Sequence, residues 1–253
     1  MVAAPHLLHF RVSHYNEKVR WALDLKGVAH TREALVPGLH IPRVRFLTGQ
    51  NKVPVLILDG EALAGSAQII DELERRWPEP VLYPSDAKLR ERALALQSHF
   101  DDEVAPDLRK LFWSCYFDRP ADCARMATDG FGGALRVLWR GMYPVFKPAF
   151  RRNMRADRAS VERARARLGE HFDRLEQEIG QSSYLVGDVF SVADLTAAAV
   201  FTAIIRPKGF PYPLPEPWPK ELSEMKASIA GRSGCKWVEE IYAKHRGQSA
   251  EIL

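Results

Sequence analysis

The sequence has few of the features that mark secreted, membrane and zinc-binding proteins. Its 253 residues include only three cysteines, which are widely spaced and form no pattern typical of a zinc site: Cys115, Cys123 and Cys235. No apolar run is long enough to span a bilayer, and the N-terminal stretch MVAAPHLLHF does not resemble a secretory signal. We therefore expect a cytoplasmic protein with reduced thiols, no metal and no transmembrane segment.

Several short catalytic motifs are also missing. The chain has no glycine-rich loop ending in GK[ST], no HExxH and no GxSxG. These absences remove the main sequence support for hydride transfer, metalloprotease and lipase chemistry.

The net charge is +4, but the basic residues are concentrated in one stretch. Between Lys147 and Arg167 the chain has eight Lys and Arg residues and two acidic residues, Asp157 and Glu162. Such a stretch is usually a solvated helix face, and the alternative is attraction of anionic ligands or of an anionic surface. Because no aromatic residues lie among the arginines, nucleic-acid binding is not predicted.

Apolar patterning divides the chain into two parts. The first part predicts strands at 6–12, 30–36, 55–58 and 62–63 and helices at 15–26, 42–48 and 66–77, with Asp59–Gly60 as the turn of a hairpin. After the prolines at 78–84 only helices are predicted, at about 88–117, 131–141, 158–179, 191–205 and 221–245. The predicted fold class is an α/β domain over 1–80 followed by an all-helical domain over 88–253.

Four short stretches have recognisable local roles. SHYNEKVR, at 13–20, opens a predicted helix, and NKVPVL, at 51–56, places a proline at a strand start, where a missing N–H is tolerated. GSAQII, at 65–70, begins a helix for which Ser66 is the expected N-cap. In YLVGDVFSVAD, at 184–194, Ser191 and Asp194 form a capping box, to which we assign a folding role.

Together these four stretches resemble the glutathione transferase superfamily over nearly the whole length of the chain. The resemblance implies a thioredoxin-like domain that binds glutathione, followed by a helical domain that binds the second substrate. It also implies a homodimer, with glutathione as the co-substrate.

The resemblance assigns roles to the matching positions. Ser13 falls where related enzymes carry the catalytic Ser or Cys, and its hydroxyl would donate a hydrogen bond to the glutathione sulfur. A cis peptide bond between Val53 and Pro54 would turn the Val53 backbone toward the cysteinyl part of glutathione. Ser66 would hold the γ-glutamyl carboxylate at a helix N-terminus. Three basic side chains are further candidates for contacts with glutathione: Lys52, His40 and Arg43.

Gly65 departs from the family pattern, in which Glu or Gln precedes the serine and meets the γ-glutamyl amine. Loss of a charge-assisted hydrogen bond costs about 1.5–3 kcal/mol, or roughly ten- to more than a hundredfold in affinity. Gln68 or a residue of a second subunit would have to replace it.

The residues around Ser13 have alternative interpretations. Ser13 is also suited to cap the helix that follows it. His14 either tunes the site or is exposed, and we expect exposure. Tyr15 is a second candidate donor, but its spacing with Val19 and Ala22 predicts that it packs into the core.

The stretch 111–150 is rich in aromatic residues and bears on the second substrate. Trp113 and Tyr116 are the candidate contacts for a hydrophobic electrophile in an apolar pocket facing Ser13. The alternatives are an enlarged core, a dimer surface, or a surface that docks a partner or touches a membrane. Two functions follow: a transferase that joins glutathione to a hydrophobic small molecule, or a transferase-like carrier or interaction module without tight glutathione binding.

Overall fold

The computed structural model describes residues 3–180 and 182–252. The first part of the chain alternates strands and helices, and after β4 only helices follow among the described residues. The strands are β1 (His6–His9), β2 (Thr31–Ala34), β3 (Val55–Leu58) and β4 (Glu61–Ala64). The helices are α1 (His14–Leu25), α2 (Ile41–Thr48), α3 (Ser66–Arg76), α4 (Ala87–His99), α5 (Ala105–Ser114), α6 (Pro120–Ala127), α7 (Gly133–Asn153), α8 (Arg158–Ala166), α9 (Leu168–Glu178), α10 (Val192–Ile205), α11 (Lys220–Ile229) and α12 (Ser233–His245).

The sheet has the order β2-β1-β3-β4 and apolar contacts on both faces. β1 is parallel to β2 and antiparallel to β3, and β3 is antiparallel to β4. Because side chains alternate across a strand, Leu7 packs into the large core that includes α1 and α3, whereas Leu8 packs with Val44 of α2. The result is a thioredoxin-like α/β domain followed by an all-helical domain, as predicted. The predicted limits 1–80 and 88–253 stay a prediction, and their outer ends lie outside the described residues.

Local sequence signals account for the turns that are predicted correctly. Asp59 and Gly60 both have positive φ, 54° and 85°, as a two-residue hairpin turn requires. Ser191 and Asp194 form the expected capping box at the start of α10. That helix is buried along its whole length, so it lies at the centre of the helical domain.

Three of the predicted long helices are interrupted. The predicted helix 88–117 consists of α4, a π-helical turn over Phe100–Val104, and α5. The predicted helix 158–179 is broken at Arg167, and 221–245 is broken between α11 and α12. The apolar period continues across these breaks because the successive helices pack against the same core, so periodicity alone does not reveal them.

The predictions were also wrong about the segment that precedes α8. The sequence did not predict α6, and α7 continues well past the predicted end at 141, through Pro144 and Pro148. Trp139 and Tyr143 are buried on one face of α7, with Phe146 and Phe150 partly buried beside them. This packing stabilises the helix although the two prolines each remove a backbone hydrogen bond.

The three cysteines are free and buried. Within 3–180 and 182–252, no helix is both long and apolar enough to cross a membrane. In the same ranges, no three His, Cys, Asp or Glu side chains are grouped as metal ligands would be.

Candidate functional site

Ser13 lies at the N-terminus of α1, just after the end of β1. It has extended backbone angles, and its carbonyl accepts a hydrogen bond from Glu17 N at 2.9 Å. Its Oγ accepts from Asn16 N, but at 3.5 Å this cap is long. No acceptor for the hydroxyl proton is found among the described residues. A hydroxyl has one donor and two acceptor positions, so Ser13 is able to cap α1 and still donate a hydrogen bond to a ligand.

The segment before β3 has unpaired backbone groups at the end of the sheet where β1 leads into Ser13. The Val53–Pro54 peptide bond is cis, as the resemblance implies. β1 pairs with β3 at Leu8 and Val55, so continuing this register places Val53 opposite Phe10, three residues before Ser13. In the described part of the chain, neither the N–H nor the C=O of Val53 has a backbone partner. Both are therefore available to pair with the backbone of an extended peptide.

The N-terminus of α3 lies next to this segment and has no capping side chain. Gly65, with φ of 97°, is the N-cap, and its N–H donates to Pro54 O at 3.2 Å. The expectation that Ser66 is the N-cap was therefore wrong: Ser66 is the first helical residue and is buried. Gly65 takes the cap position because positive φ favours glycine. The first turn contains no acidic residue, so its free N–H groups favour a bound carboxylate.

The three basic candidates differ in whether their side chains are already held by other residues. Lys52 is exposed, and among described residues it makes no ion pair. His40 accepts from Gly38 N and donates through Nε2 to Asn51 O, each at 3.1 Å, and burial lowers its pKa. Arg43 is paired with Glu33 of β2. Of the three, Lys52 alone is unengaged, and His40 instead holds the segment that leads into Lys52.

His14 is buried, so the expectation that it is exposed was wrong. Burial, and then the charges of Arg109, Lys18 and Arg206, lower the pKa of His14 well below its usual value. The ring is therefore neutral at pH 7, and its buried Nε2 has no hydrogen-bond partner among the described residues. The charges that act on His14 include Arg109 of α5 and Arg206 after α10, so the side chain lies on the side of α1 that faces the helical domain. There α1 packs against α10, and α10 packs against α5.

Two arginines without partners lie close to His14. For the side chains of Arg109, in α5, and Arg206, which follows α10, no ion pair or hydrogen bond is found within the described ranges. The Arg206 guanidinium lies over the rings of Phe112 and Phe210, with its central carbon 5.0 and 4.6 Å from their centroids. Burial lowers the pKa of Arg206 to about 10, so it remains charged at pH 7. Two guanidinium groups without ionic partners among the described residues therefore act on His14, the residue that follows Ser13.

Tyr15 is engaged at the contact between the two domains. Its hydroxyl donates to the Asp101 carbonyl at 2.8 Å, and Lys18 forms an ion pair with the Asp101 carboxylate. Asp101 belongs to the π-helical turn that interrupts the predicted helix. Tyr15 is therefore partly buried and not available as a thiol donor, in agreement with its predicted packing.

The two candidate contacts for the second substrate differ in exposure. Tyr116 is fully buried, its hydroxyl has no partner among the described residues, and burial raises its pKa. Trp113 is only partly buried and packs edge-on against Phe112 and Phe150. The aromatic residues of this stretch thus pack largely on one another. A role for Trp113 and Tyr116 in substrate binding stays a prediction.

The segment with α6 and α7 contacts the turn before Ser13 and the loop between β2 and α2. Arg11, in the turn before Ser13, forms an ion pair with Asp129 at 2.6 Å. Trp139 of α7 donates through Nε1 to Pro37 O at 3.1 Å, in the loop that leads to His40. These two contacts hold the segment against the turn before Ser13 and against the loop that leads to His40.

Comparison with known proteins identifies the family. The model of the glutathione S-transferase N-terminal domain matches residues 7–81, and that of the glutathione S-transferase C-terminal domain matches residues 158–223, together more than half of the chain. The chain belongs to the glutathione S-transferase superfamily. The segment with α6 and α7 lies between the two matched regions of this glutathione S-transferase fold.

Individual relatives include enzymes of this superfamily. The chain is 34% identical to a maleylpyruvate isomerase of Ralstonia sp over 136 residues, which cover 49% of this chain and 64% of that protein. It is 24% identical to a probable glutathione S-transferase of Solanum tuberosum over 209 residues, covering 81% and 76%. A theta class glutathione S-transferase from Xanthomonas axonopodis pv. citri, solved with glutathione bound, has the same fold, with a TM-score of 0.58, 21% identity and coverage of 93% and 96%.

Sequence reasoning missed Arg109, Arg206 and the burial of His14. The one signal was the position of Arg206 directly after a helix of 14 residues that are all buried. A cation at that point is held close to the interior by the helix that precedes it. No comparable signal marks Arg109, because a single Arg in an amphipathic helix is usually solvated.

Proposed function

We propose that this protein is a glutathione-dependent transferase in which Ser13 stabilises the glutathione thiolate. The single observation that carries the proposal is the Ser13 hydroxyl, which is placed at a helix N-terminus with its proton unengaged. The hydroxyl would donate to the sulfur, and the helix terminus would add positive potential.

The required effect on the thiol is modest. A free thiol with pKa about 8.5 is only about 3% ionised at pH 7. Lowering the pKa by two units needs about 2.7 kcal/mol and makes the thiolate roughly 25-fold more abundant. One charge-assisted hydrogen bond and a helix terminus are of this size, and the unpaired charges of Arg109 and Arg206 act in the same direction.

Three backbone features support glutathione as the co-substrate. The free Val53 backbone suits the cysteinyl part, and the uncapped N-terminus of α3 suits the γ-glutamyl carboxylate. Lys52, which is exposed and directly precedes Val53, would contact a second carboxylate. Gly65 supplies no side chain for the γ-glutamyl amine, so we expect weaker binding than a Glu or Gln at this position would give.

The test is a calorimetric titration with glutathione, together with a pH titration of the ultraviolet absorbance of the bound thiolate. Ser13→Ala should leave the affinity within about twofold, return the thiol pKa toward its free value, and lower turnover about 10- to 100-fold. Ser98→Ala, which removes an exposed hydroxyl bonded to Asp102, is the matched control. No heat at millimolar glutathione would reject the proposal and favour the carrier or interaction module.

The second substrate has two candidate classes. A hydrophobic electrophile is the first, and the partly buried Trp113, which packs against Phe112 and Phe150, supports an apolar contact. An unsaturated carboxylate, rearranged after addition of the thiolate, is the second. The unpaired Arg109 and Arg206 favour it, and the relative named maleylpyruvate isomerase acts on a substrate of that kind.

The two classes are separated by comparing one anionic and one neutral substrate. Arg206→Met should raise KM for maleylpyruvate about tenfold or more and leave a neutral chloronitrobenzene nearly unchanged. Equal effects on both substrates would reject a carboxylate contact. The proposal also includes a cytoplasmic location and a homodimer. A monomer mass in light scattering would reject the homodimer and would leave the role of Ser13 unaffected.

A further inference from the structure

Helix α7 exposes a stripe of aliphatic side chains that nothing in the described structure covers. Val137, Leu138, Met142 and Val145 are 74%, 58%, 49% and 82% exposed. At 100° per residue these four positions occupy an arc of about 140°. The buried aromatic residues of α7 occupy the opposite side, so the stripe is not an edge of the core. An exposed aliphatic stripe on a 21-residue helix indicates an interaction site.

Basic residues border this stripe. Arg140 and Arg151 lie along one edge of the arc, and Arg152 is at its C-terminal end. All three are exposed, and no ion pair reaches them from any described residue. The helix thus has an aliphatic face with unneutralised positive charge beside it.

The positive charge continues beyond the end of α7. A cleft of about 820 Å³ opens between α7 and α8. Its lining includes one acidic residue, Asp157, and six basic residues. The basic residues are Lys110, Arg151, Arg152, Arg155, Arg158 and Arg163. Arg158 is paired with Glu162 and Lys110 with Asp107, but the other four arginines of the cleft make no ion pair with any described residue. The charge of this surface therefore favours an anionic occupant.

A second copy of the chain does not fit this charge. In a two-fold dimer the same patch lies on both subunits, so two sets of unpaired arginines would face the same interface. Nucleic acid would neutralise the arginines but leave the aliphatic stripe in water. Hydrocarbon and anionic groups occur side by side at the surface of a bilayer that contains acidic lipids.

We propose that α7, with the arginines that border it, is a peripheral docking surface for an anionic lipid membrane. The exposed aliphatic side chains enter the region between headgroups and acyl chains, and the arginines contact the headgroup phosphates. Helix α7 lies in the plane of the membrane surface. The surface is continuous with the segment that contacts the Arg11 turn and Pro37, so docking would place the Ser13 edge near the membrane.

The test is sedimentation of the full-length protein with vesicles of phosphatidylcholine alone and with vesicles that also contain phosphatidylglycerol. The wild type should bind the second kind and not the first, and salt should weaken binding. Arg151→Gln with Arg152→Gln should weaken partitioning roughly 25-fold, because each cation near an anionic surface contributes about fivefold. Val137→Gln with Val145→Gln should weaken it by at least tenfold.

Two matched variants control for general surface effects. Val189→Gln changes a valine that is 66% exposed in a loop away from α7. Arg45→Gln changes an exposed arginine of α2. Both should bind vesicles like the wild type, and all variants are exposed substitutions that should keep the wild-type melting temperature.

Several results would overturn the proposal. One is no binding to phosphatidylglycerol vesicles at low salt, and another is equal loss in the α7 and control variants. A dimer in light scattering that Val145→Gln dissociates would assign the stripe to a contact between copies. Binding of an oligonucleotide that depends on the arginines but not on Val137 and Val145, without vesicle binding, would assign the surface to nucleic acid.

Discussion

Two groups of buried polar side chains around α1 differ in whether they have hydrogen-bond and ionic partners. In the middle and at the C-terminal end of the helix, Glu17 pairs with Arg20 at 2.7 Å and with Arg246 at 2.6 Å, and Asp24 pairs with Arg246 at 2.8 Å. At the N-terminus, His14 and Arg206 have buried nitrogen atoms without partners among the described residues. The paired group supports the fold, whereas the unpaired group is what a ligand site requires.

The paired group owes its stability to residues that are remote in the chain. Burial alone would raise the pKa of Asp24, but the charges of Arg32 and Arg246 outweigh it and lower the pKa. The backbone N–H of Ala250 also donates to Asp24 at 2.8 Å. The C-terminal segment, which adds a hydrogen bond from Ile252 N to His30 O at 2.8 Å, is therefore fastened to the first domain.

The largest expected effect comes from breaking the paired group. Arg246→Met leaves Glu17 and Asp24 buried with one partner fewer each, so we expect a loss of about 3–5 kcal/mol in the free energy of unfolding. Denaturant titration at pH 7 measures it. Lys220→Met, which removes an exposed pair with Glu224 at 3.4 Å, should cost no more than about 1 kcal/mol. A loss below 1 kcal/mol for Arg246→Met would contradict a structural role.

A smaller effect is expected from His14 of the unpaired group, which makes the free energy of unfolding depend on pH. The folded protein keeps His14 neutral, whereas the unfolded chain protonates it below about pH 6.5, so the unfolded state binds more protons. Stability should therefore be fully present above pH 6.5 and fall as the pH drops, by up to about 1.4 kcal/mol per pH unit for this histidine.

His9, whose pKa burial and then Arg20 lower to about 2, adds a similar slope over the same range. His14→Gln should therefore remove about half of the combined slope between pH 6 and 5. Denaturant titrations at several pH values measure this, and an unchanged slope in the variant would show that His14 is protonated in the folded state.

The smallest effect is expected from Arg206→Met. The substitution removes a buried charge without an ionic partner and loses two contacts with aromatic rings, so the two contributions oppose each other. We expect the free energy of unfolding to change by less than about 1 kcal/mol. A loss as large as that of Arg246→Met would mean that Arg206 belongs to the structural group, and would remove the reason for a carboxylate contact.

Several parts of both domains were predictable because their signals are local. The hairpin at Asp59–Gly60 follows from two residues that accept positive φ, and the capping box at Ser191 and Asp194 follows from their spacing. The order of strands and helices and the family resemblance were correct for the same reason. The N-cap of α3 was predicted wrongly. Ser66 and Gly65 are both residues that often cap helices, and the positive φ at this position favours the glycine.

The sequence by itself determined the α/β unit, the buried α10 and the family of the chain, since these depend on periodicity and short motifs. Tertiary structure alone decided which charges are paired. Glu17 and Arg246 lie 229 residues apart, and the local sequence does not show that Arg246 finds a carboxylate partner and Arg206 does not. Whether a buried charge finds a partner depends on contacts between distant segments, and burial makes that difference large because water no longer screens it.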